Sequence, residues 1–257
     1  MAKRKLTKYQ EFILTLLRLR LGLVTFFLAD MFGVSNSRVS QIFTTWITFM
    51  CSVFGRFVKW QSKEMNMKCM PLSFKKKFPR TRSIIDCTEL FVQKPRTPSA
   101  QSTTYSSYKP HNSFKSLVSI TPSGAFNYVS ELYGGNVSDR FITEHSGYLD
   151  NIEPNDDVMA DRTFTIRDLL TDKRATLNIP PFTHKCSWGK RKRLNVNEIK
   201  KTREIANLRI NVERAIQRLK CFKLLANVIS LKLKSVCNQM LKVAAFLCNL
   251  DKPLVKK

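Results

Sequence analysis

Three acidic residues stand in apolar surroundings, where an ionised carboxylate is costly. Asp86 lies inside the apolar segment that starts at Ile84, Asp161 follows Val158-Met159-Ala160, and Glu213 adjoins a helically spaced apolar stripe. Burial of such a group is unfavourable unless a cation or strong donors compensate for it. Carboxylate oxygens are also the ligands that Mg²⁺ prefers. The pattern predicts a shared cation site, although a salt bridge remains the alternative for each acid, with nearby partners in Arg162, Arg209 and Arg214.

Other acids nearby fit such a site less well. Glu89 is an odd number of residues from Asp86, so its side chain points to the opposite face of a strand. Asp157 shares a face with Asp161 but lies about 13 Å from it at the rise of a strand. Asp139 follows Ser138 at the predicted start of a helix, where a capping role is expected.

The segments around these acids predict a mixed α/β fold. Ser83–Val92 is β-rich, and a Pro122-Ser123-Gly124 turn joins two further predicted strands into a hairpin. A Ser/Thr/Pro-rich loop is expected from Thr97 to His111. The other expected segments are strands Ser116–Thr121, Ala125–Leu132, Asp157–Ala160 and Thr176–Ile179, and helices Ile166–Leu170, Val196–Lys220 and Ser235–Leu250. This order predicts a ribonuclease-H-like mixed sheet with flanking helices over residues 81–257.

The first 50 residues predict a separate, small, all-α unit. Thr7 and Gln10 form a capping box, Gly22 and Gly33 end helices, and Ser35 is the expected N-cap of a third helix. This is the helix-turn-helix pattern. It would present polar side chains to a DNA major groove: Ser35, Asn36, Ser37, Arg38 and Gln41. A three-helix packing or dimerisation module is the alternative, and residues 51–80 are expected to connect the two parts.

The charge of the chain indicates a polyanionic partner. Forty-four Lys and Arg residues against 19 Asp and Glu give a net charge of +25. Nucleic acid is favoured over a membrane, because the apolar stretch Phe12–Phe32 carries three charged residues. Seven scattered cysteines lack zinc-site spacing and are expected to be reduced thiols in an intracellular protein. The basic run Lys190, Arg191, Lys192 and Arg193 fits phosphate contact and nuclear import equally well, and Arg209 and Arg214 flank Glu213 as further phosphate-contact candidates.

Several ordered motifs resemble one transposase family. The N-terminal motifs are LRLGL (Leu19 to Leu23) and LADMFGVSNSRVSQIF (Leu28 to Phe43). The later motifs are IIDCTEL (Ile84 to Leu90), YSSYKPHNSFK (Tyr105 to Lys115), GGNVSDRFITEHSG (Gly134 to Gly147), VMADRTF (Val158 to Phe164), LNIPPF (Leu177 to Phe182) and IANLRINVERAIQRLK (Ile205 to Lys220). Over nearly its whole length the chain resembles PIF/Harbinger-type DDE superfamily transposases.

The resemblance places the family's metal-binding triad on Asp86, Asp161 and Glu213. It implies two divalent ions, Mg²⁺ or Mn²⁺, DNA cleavage at the ends of a mobile element, and strand transfer into a target. It further implies a nuclear protein that works as at least a dimer with a separately encoded Myb-like DNA-binding protein. Thr163 and Asn211 depart from the family pattern, which usually has Gly and His there. There are two alternatives: a domesticated DNA-binding regulator without catalysis, and a nuclease of structured DNA or RNA.

Overall fold

A computed structural model describes residues 6–180 and 196–255. Its N-terminal helices are α1 (Lys8–Leu21), α2 (Thr25–Phe32), α3 (Asn36–Phe54), α4 (Lys63–Cys69) and α5 (Leu72–Lys77). The later helices are α6 (Pro98–Thr104), α7 (Asp139–His145), α8 (Arg167–Asp172), α9 (Val196–Lys220), α10 (Lys223–Ala226) and α11 (Cys237–Asn249). Short 3-10 helices span Gly55–Phe57, Tyr148–Asn151 and Leu231–Val236. The strands are β1 (Thr81–Phe91), β2 (Tyr105–Ser106), β3 (His111–Ile120), β4 (Phe126–Val129), β5 (Tyr133–Gly134), β6 (Asp157–Met159) and β7 (Thr176–Asn178).

All seven strands belong to one mixed sheet. Its order is β2-β3-β1-β6-β7, and β4 and β5 also pair with β3. β1 and β3 are antiparallel, whereas β1, β6 and β7 run parallel. Apolar side chains of α9 and α11 cover one face, and those of α7 and α8 cover the other. The mixed α/β fold with flanking helices that the strand order predicted is therefore confirmed.

The N-terminal helices begin at the expected residues, and α1 and α2 also end at the expected glycines. Thr7 and Gln10 form both hydrogen bonds of a capping box at the start of α1. Gly22 ends α1 at φ 69°, a left-handed conformation that glycine adopts without steric cost. The Ser35 hydroxyl accepts a hydrogen bond from the Arg38 backbone N–H at 3.3 Å and so caps α3. The three predicted helices and their turns are confirmed.

α3 runs further than predicted and joins the core of the sheet. Its C-terminal half packs against α11, and Phe54 stacks on Phe246 with ring centroids 4.6 Å apart. The shared buried cluster includes Phe43, Ile47 and Met50 of α3 and Met240, Leu241, Ala244 and Ala245 of α11. Apolar contacts thus cross residue 50, and the division into residues 1–50, 51–80 and 81–257 remains a prediction.

Two local predictions were wrong. The expected loop Thr97–His111 contains α6 and β2. Pro98 occupies the first position of α6, where its missing N–H costs nothing, and Tyr105 and Ser106 pair with β3. The expected strand Ala125–Leu132 ends early, because at Ser130 the side-chain hydroxyl accepts the Leu117 N–H at 2.9 Å and the ladder is interrupted.

Gly135 allows the junction of α6 and β2 to lie close to the end of β5. A Cβ at Gly135 would lie 2.4 Å from Ser113 Oγ and 2.5 Å from the Thr104 carbonyl oxygen. We expect Gly135→Ala to lower the free energy of unfolding by about 3 kcal/mol, the upper range for overpacking. Urea unfolding of the whole protein measures this change.

Gly33→Ala is the matched control for that measurement. A Cβ at Gly33 meets no atom within 4 Å, so only the backbone strain at φ +62° remains, about 1–2 kcal/mol. A smaller loss for Gly135→Ala than for Gly33→Ala would contradict the close contact.

Candidate active site

Asp86 lies within β1, and Asp161 lies two residues beyond the end of the neighbouring strand β6, close enough for its charge to act on Asp86. Ile84 of β1 pairs with Met159 of β6 in the parallel ladder, and extending this register by two residues places Asp161 beside Asp86. Neighbouring strands are about 4.8 Å apart, and alternation puts both carboxylates on the face of Ile84 and Met159. That face is the one covered by α9. The two acids that the sequence singled out on strands are thus brought together.

Glu213 reaches the same place through Arg209. Both residues lie on α9, one turn apart. Arg209 Nη2 is 2.7 Å from Glu213 Oε1 and 3.8 Å from Asp161 Oδ2. The two carboxylate oxygens are therefore separated by no more than the sum of these distances. Two divalent ions about 4 Å apart could therefore contact both carboxylates.

Within residues 6–180 and 196–255, no three His, Cys, Asp or Glu side chains stand close enough together to hold an ion without rearrangement. The donor set nevertheless fits a cation, because Arg209 pairs with Asp161 and Glu213 while Asp86, whose pKa the charges of Arg209 and Asp161 both affect, adds a third carboxylate nearby. The Arg209 side chain is 16% exposed, whereas those of Asp161 and Glu213 are 39% and 51% exposed. Ions can therefore approach these two carboxylates from solvent.

Burial dominates the chemistry of Asp86. It raises the pKa of this carboxyl from 3.8 to about 6, and the charges of Asp161 and Asp139 act in the same direction. The Cys87 backbone N–H donates to Asp86 Oδ1 at 2.8 Å, and the Arg209 charge also opposes the rise in pKa. A metal cation bound beside Asp86, in addition to the charge of Arg209, would lower the pKa of Asp86 and favour its ionised carboxylate.

The acids that strand geometry set aside have other partners. Glu89 is buried, and its carboxylate accepts hydrogen bonds from the hydroxyls of Ser106 and Ser113 at 3.2 and 3.1 Å. Asp157 pairs with Arg80 at 3.3 Å. At α7 the capping oxygen belongs to Ser138, while Asp139 begins the helix and pairs with Lys115 at 3.2 Å.

The expected DNA-reading side chains lie at the exposed start of α3. Ser35, Asn36, Ser37, Arg38 and Gln41 are all exposed. The Arg38 guanidinium is 46% exposed and lies 3.4 Å from a carboxylate oxygen of Glu11, which is buried.

Sequence reasoning missed the role of Glu11. Its second oxygen accepts the Trp46 indole N–H at 3.0 Å, so this one carboxylate joins α1 to α3 and orients Arg38. The only sequence feature that pointed to it was an acid next to the apolar run of α1.

The other basic candidates differ in position. Arg214 is exposed on α9, as a phosphate contact requires. Arg209, by contrast, is mostly buried against Asp161 and Glu213. The run Lys190, Arg191, Lys192 and Arg193 lies outside the described residues.

Arg38→Ala is expected to weaken binding to duplex DNA about tenfold, because the exposed guanidinium lies at the start of α3, the part of the helix expected to enter the major groove. The slope of log affinity against log salt should fall by about 1. Fluorescence anisotropy at several salt concentrations measures both. Arg56→Ala, an exposed arginine just after α3, is the control, and equal losses for the two variants would contradict this assignment.

Two family models match this chain. Residues 85–249 match the family described as DDE superfamily endonuclease, and residues 4–55 match the helix-turn-helix of DDE superfamily endonuclease. No curated protein matches the chain. Among the helices of the described residues, none has the length and apolar character needed to cross a bilayer. The first match spans more than half of the sequence, and the chain therefore belongs to the DDE superfamily endonucleases and carries that family's helix-turn-helix.

Proposed function

We propose that this chain is a transposase-like DNA endonuclease of the PIF/Harbinger type. It would cut phosphodiester bonds at the ends of a mobile element and join those ends to a target. The observation that carries the proposal is that Asp86, in the middle of β1, and Asp161, just past the end of the parallel strand β6, approach each other, with Glu213 joined to Asp161 through Arg209.

Asp86, Asp161 and Glu213 would hold two divalent ions, Mg²⁺ or Mn²⁺. Such ions activate an attacking oxygen and stabilise the leaving oxygen of an in-line displacement. The chain's own contribution is to orient the ligands. The Cys87 N–H fixes Asp86, and the Arg162 N–H fixes Asp161 at 2.6 Å. In this reading Arg209 neutralises two of the ligands until cations take its place.

DNA would be held at two places. The start of α3, with Ser35, Asn36, Ser37, Arg38 and Gln41, would read the element ends. Arg214, and the run from Lys190 to Arg193, would contact phosphates near the acids. Joining two ends in one reaction requires at least a dimer. A Myb-like DNA-binding protein as partner, and action in the nucleus, belong to the same proposal.

A metal-dependent nicking assay on candidate end sequences tests the enzymatic proposal. The wild-type protein should nick DNA in Mn²⁺ or Mg²⁺ but not in EDTA, and Asp86→Asn, Asp161→Asn and Glu213→Gln should each abolish nicking. Joined products would support strand transfer. Nicking without joining would instead indicate a nuclease of structured nucleic acid.

A domesticated DNA-binding regulator is the second candidate function. One observation favours it: Arg209 already pairs with two of the three acids, as in an ordinary salt-bridge cluster. Thr163 and Asn211, which depart from the family pattern, agree with it. This alternative would be established if the protein bound DNA sequence-specifically without any metal-dependent nicking, and if Asp86→Asn left that binding unchanged.

A further inference from the structure

A cavity of about 760 Å³ opens beside the C-terminal end of β1, away from the three acids. Its walls come from the end of β1, from α6 and β2, and from the start of β3. The lining side chains that matter here are Lys94, Gln101, Tyr105, His111 and Asn112.

Hydrogen bonds hold the walls of this cavity in place. Gln101 Nε2 donates to the Pro95 carbonyl oxygen at 2.8 Å, and Asn112 Nδ2 donates to the Gln101 carbonyl oxygen at 3.1 Å and to Thr104 Oγ1 at 2.8 Å. Gly134 and Gly135 let the α6–β2 segment lie against β5 without space for a Cβ. The cavity is therefore formed before any ligand arrives.

Aromatic rings line the cavity and stand near its edge. Tyr105 is 47% exposed at the wall, and Tyr108, three residues later, is 83% exposed. The His111 ring packs edge-on against Phe91, with centroids 5.1 Å apart, which fixes its orientation. Exposed rings of this kind are platforms on which bases of single-stranded nucleic acid stack, at about 1–3 kcal/mol per base.

The charge around the cavity is positive. No Asp or Glu occurs in the sequence between Glu89 and Glu131, whereas Lys94, Arg96 and Lys109 lie there. All three of these basic residues are exposed. The carboxylate of Glu89 is buried and accepts the hydroxyls of two serines, so it does not offset these charges at the surface.

Lys220 continues this positive charge towards the acids. It is at the end of α9, and its ammonium group donates to the Glu89 carbonyl oxygen, three residues along β1 from Asp86. Burial, and then the charge of Lys109, lower the pKa of Lys220 to about 8, so these two ammonium groups lie near one another. An anionic phosphate between them would relieve their repulsion.

The distance along β1 suits one DNA strand that reaches both places. Asp86 and Val92 are six residues apart on an extended segment, which corresponds to about 20 Å. At the B-form spacing of roughly 3.4 Å per phosphate this distance corresponds to about six nucleotides, and an extended, unstacked strand covers it with fewer.

We propose that this cavity binds an unstacked base of single-stranded DNA, with the base against Tyr105 and the neighbouring phosphates on Lys94 and Lys109. The proposal rests on the proposed function only in taking DNA as the substrate. The basic side chains around the cavity favour single-stranded DNA over a proline-rich peptide. Such a peptide would also use exposed tyrosines, but it gains nothing from the positive charge.

Binding of the full-length protein to labelled oligo-dT and to a duplex of equal length, in EDTA, tests the proposal. Tyr105→Ala should weaken oligo-dT binding roughly 5- to 150-fold, the loss of one stacked base. Tyr105→Phe should retain wild-type affinity because the ring remains, and Lys94→Ala should weaken binding and lower its salt dependence. Duplex affinity should stay within about twofold of wild type for all three variants.

Tyr9→Ala removes a tyrosine that is 73% exposed on α1 and is the matched control. A 2-aminopurine placed in the oligo-dT should be quenched by the wild type and by Tyr105→Phe but not by Tyr105→Ala. Unchanged oligo-dT affinity for Tyr105→Ala would overturn the proposal, and so would an equal loss of affinity for Tyr9→Ala. The proposal would also fail if a proline-rich peptide, but not unlabelled oligo-dT, displaced the labelled oligo-dT. Because EDTA prevents cleavage, a negative nicking assay would leave these outcomes unaffected.

Discussion

Asp86→Asn is expected to lower the rate of metal-dependent nicking by roughly a thousandfold or more, about 4 kcal/mol in the activation barrier. The change keeps the size of the side chain and leaves an oxygen to accept the Cys87 N–H, so the local structure should persist. It removes the negative charge with which Asp86 would hold the proposed ions. Single-turnover nicking of an end sequence, with saturating Mn²⁺, measures the effect.

The same substitution should stabilise the metal-free protein at neutral pH. The pKa of Asp86 is raised to about 6 in the folded chain, against 3.8 for the ordinary group, so the folded state binds the proton more tightly. Ionisation of Asp86 therefore costs stability as pH rises from about 4 to 6, and the full cost is present above pH 6. We expect Asp86→Asn to be more stable than wild type at pH 7 by about 1–3 kcal/mol, the larger value corresponding to the whole pKa shift.

Urea unfolding in EDTA at pH 7 and at pH 4 separates this effect from general changes in folding. The gain should be present at pH 7 and should shrink towards zero at pH 4, where Asp86 is protonated in the folded state. Asp161→Asn is the control, because its side chain is 39% exposed, so no comparable burial cost is removed. A variant Asp86→Asn that is less stable than wild type at pH 7 would contradict the cost assigned to burial.

Arg209→Ala is expected to tighten Mn²⁺ binding about tenfold, or ~1.4 kcal/mol. The guanidinium contacts Asp161 and Glu213, so it competes with cations for the same oxygens and repels them. Its loss leaves two carboxylates without their counter-charge, and the metal-free protein should lose stability while the Mn²⁺-bound protein regains it. Calorimetric titration of Mn²⁺ into DNA-free protein measures the affinity.

Arg214→Ala provides the comparison for this experiment, since Arg214 is an exposed arginine directly after Glu213 on the same helix. Its Mn²⁺ affinity should remain within about twofold of wild type, because solvent screens an exposed charge. If Arg209→Ala bound Mn²⁺ more weakly than wild type, Arg209 would be needed to position the ligands, and the view that it competes with cations would fail.

Strand order and the position of the acids could be predicted because both depend on local patterns. α9 spans Val196–Lys220, as its apolar spacing predicts. Asp86 interrupts one apolar strand and Asp161 follows another, and the parallel pairing of these two strands carries the chain at both acids in the same direction. In contrast, α6 was missed because Ser, Thr and Pro dominate it, and it is held by contacts with β3 and with glycines distant in sequence.

Contacts between segments that are distant along the chain could not be predicted. The bond between Arg209 and Asp161 depends on how α9 lies across the sheet. The Glu11 carboxylate that holds Arg38 depends on the packing of α1 against α3. The packing of α3 on α11 depends on a shared apolar core that periodicity alone assigns to two separate units.

Anomalous diffraction from crystals soaked in Mn²⁺ tests directly whether Asp86, Asp161 and Glu213 together bind two divalent ions. We expect Mn²⁺ within about 2.2 Å of carboxylate oxygens of Asp86 and Asp161, a second ion about 4 Å away that contacts Glu213, and Arg209 displaced from both of its partners. Mn²⁺ bound only elsewhere, with Arg209 still joining Asp161 to Glu213 at saturating Mn²⁺, would contradict it.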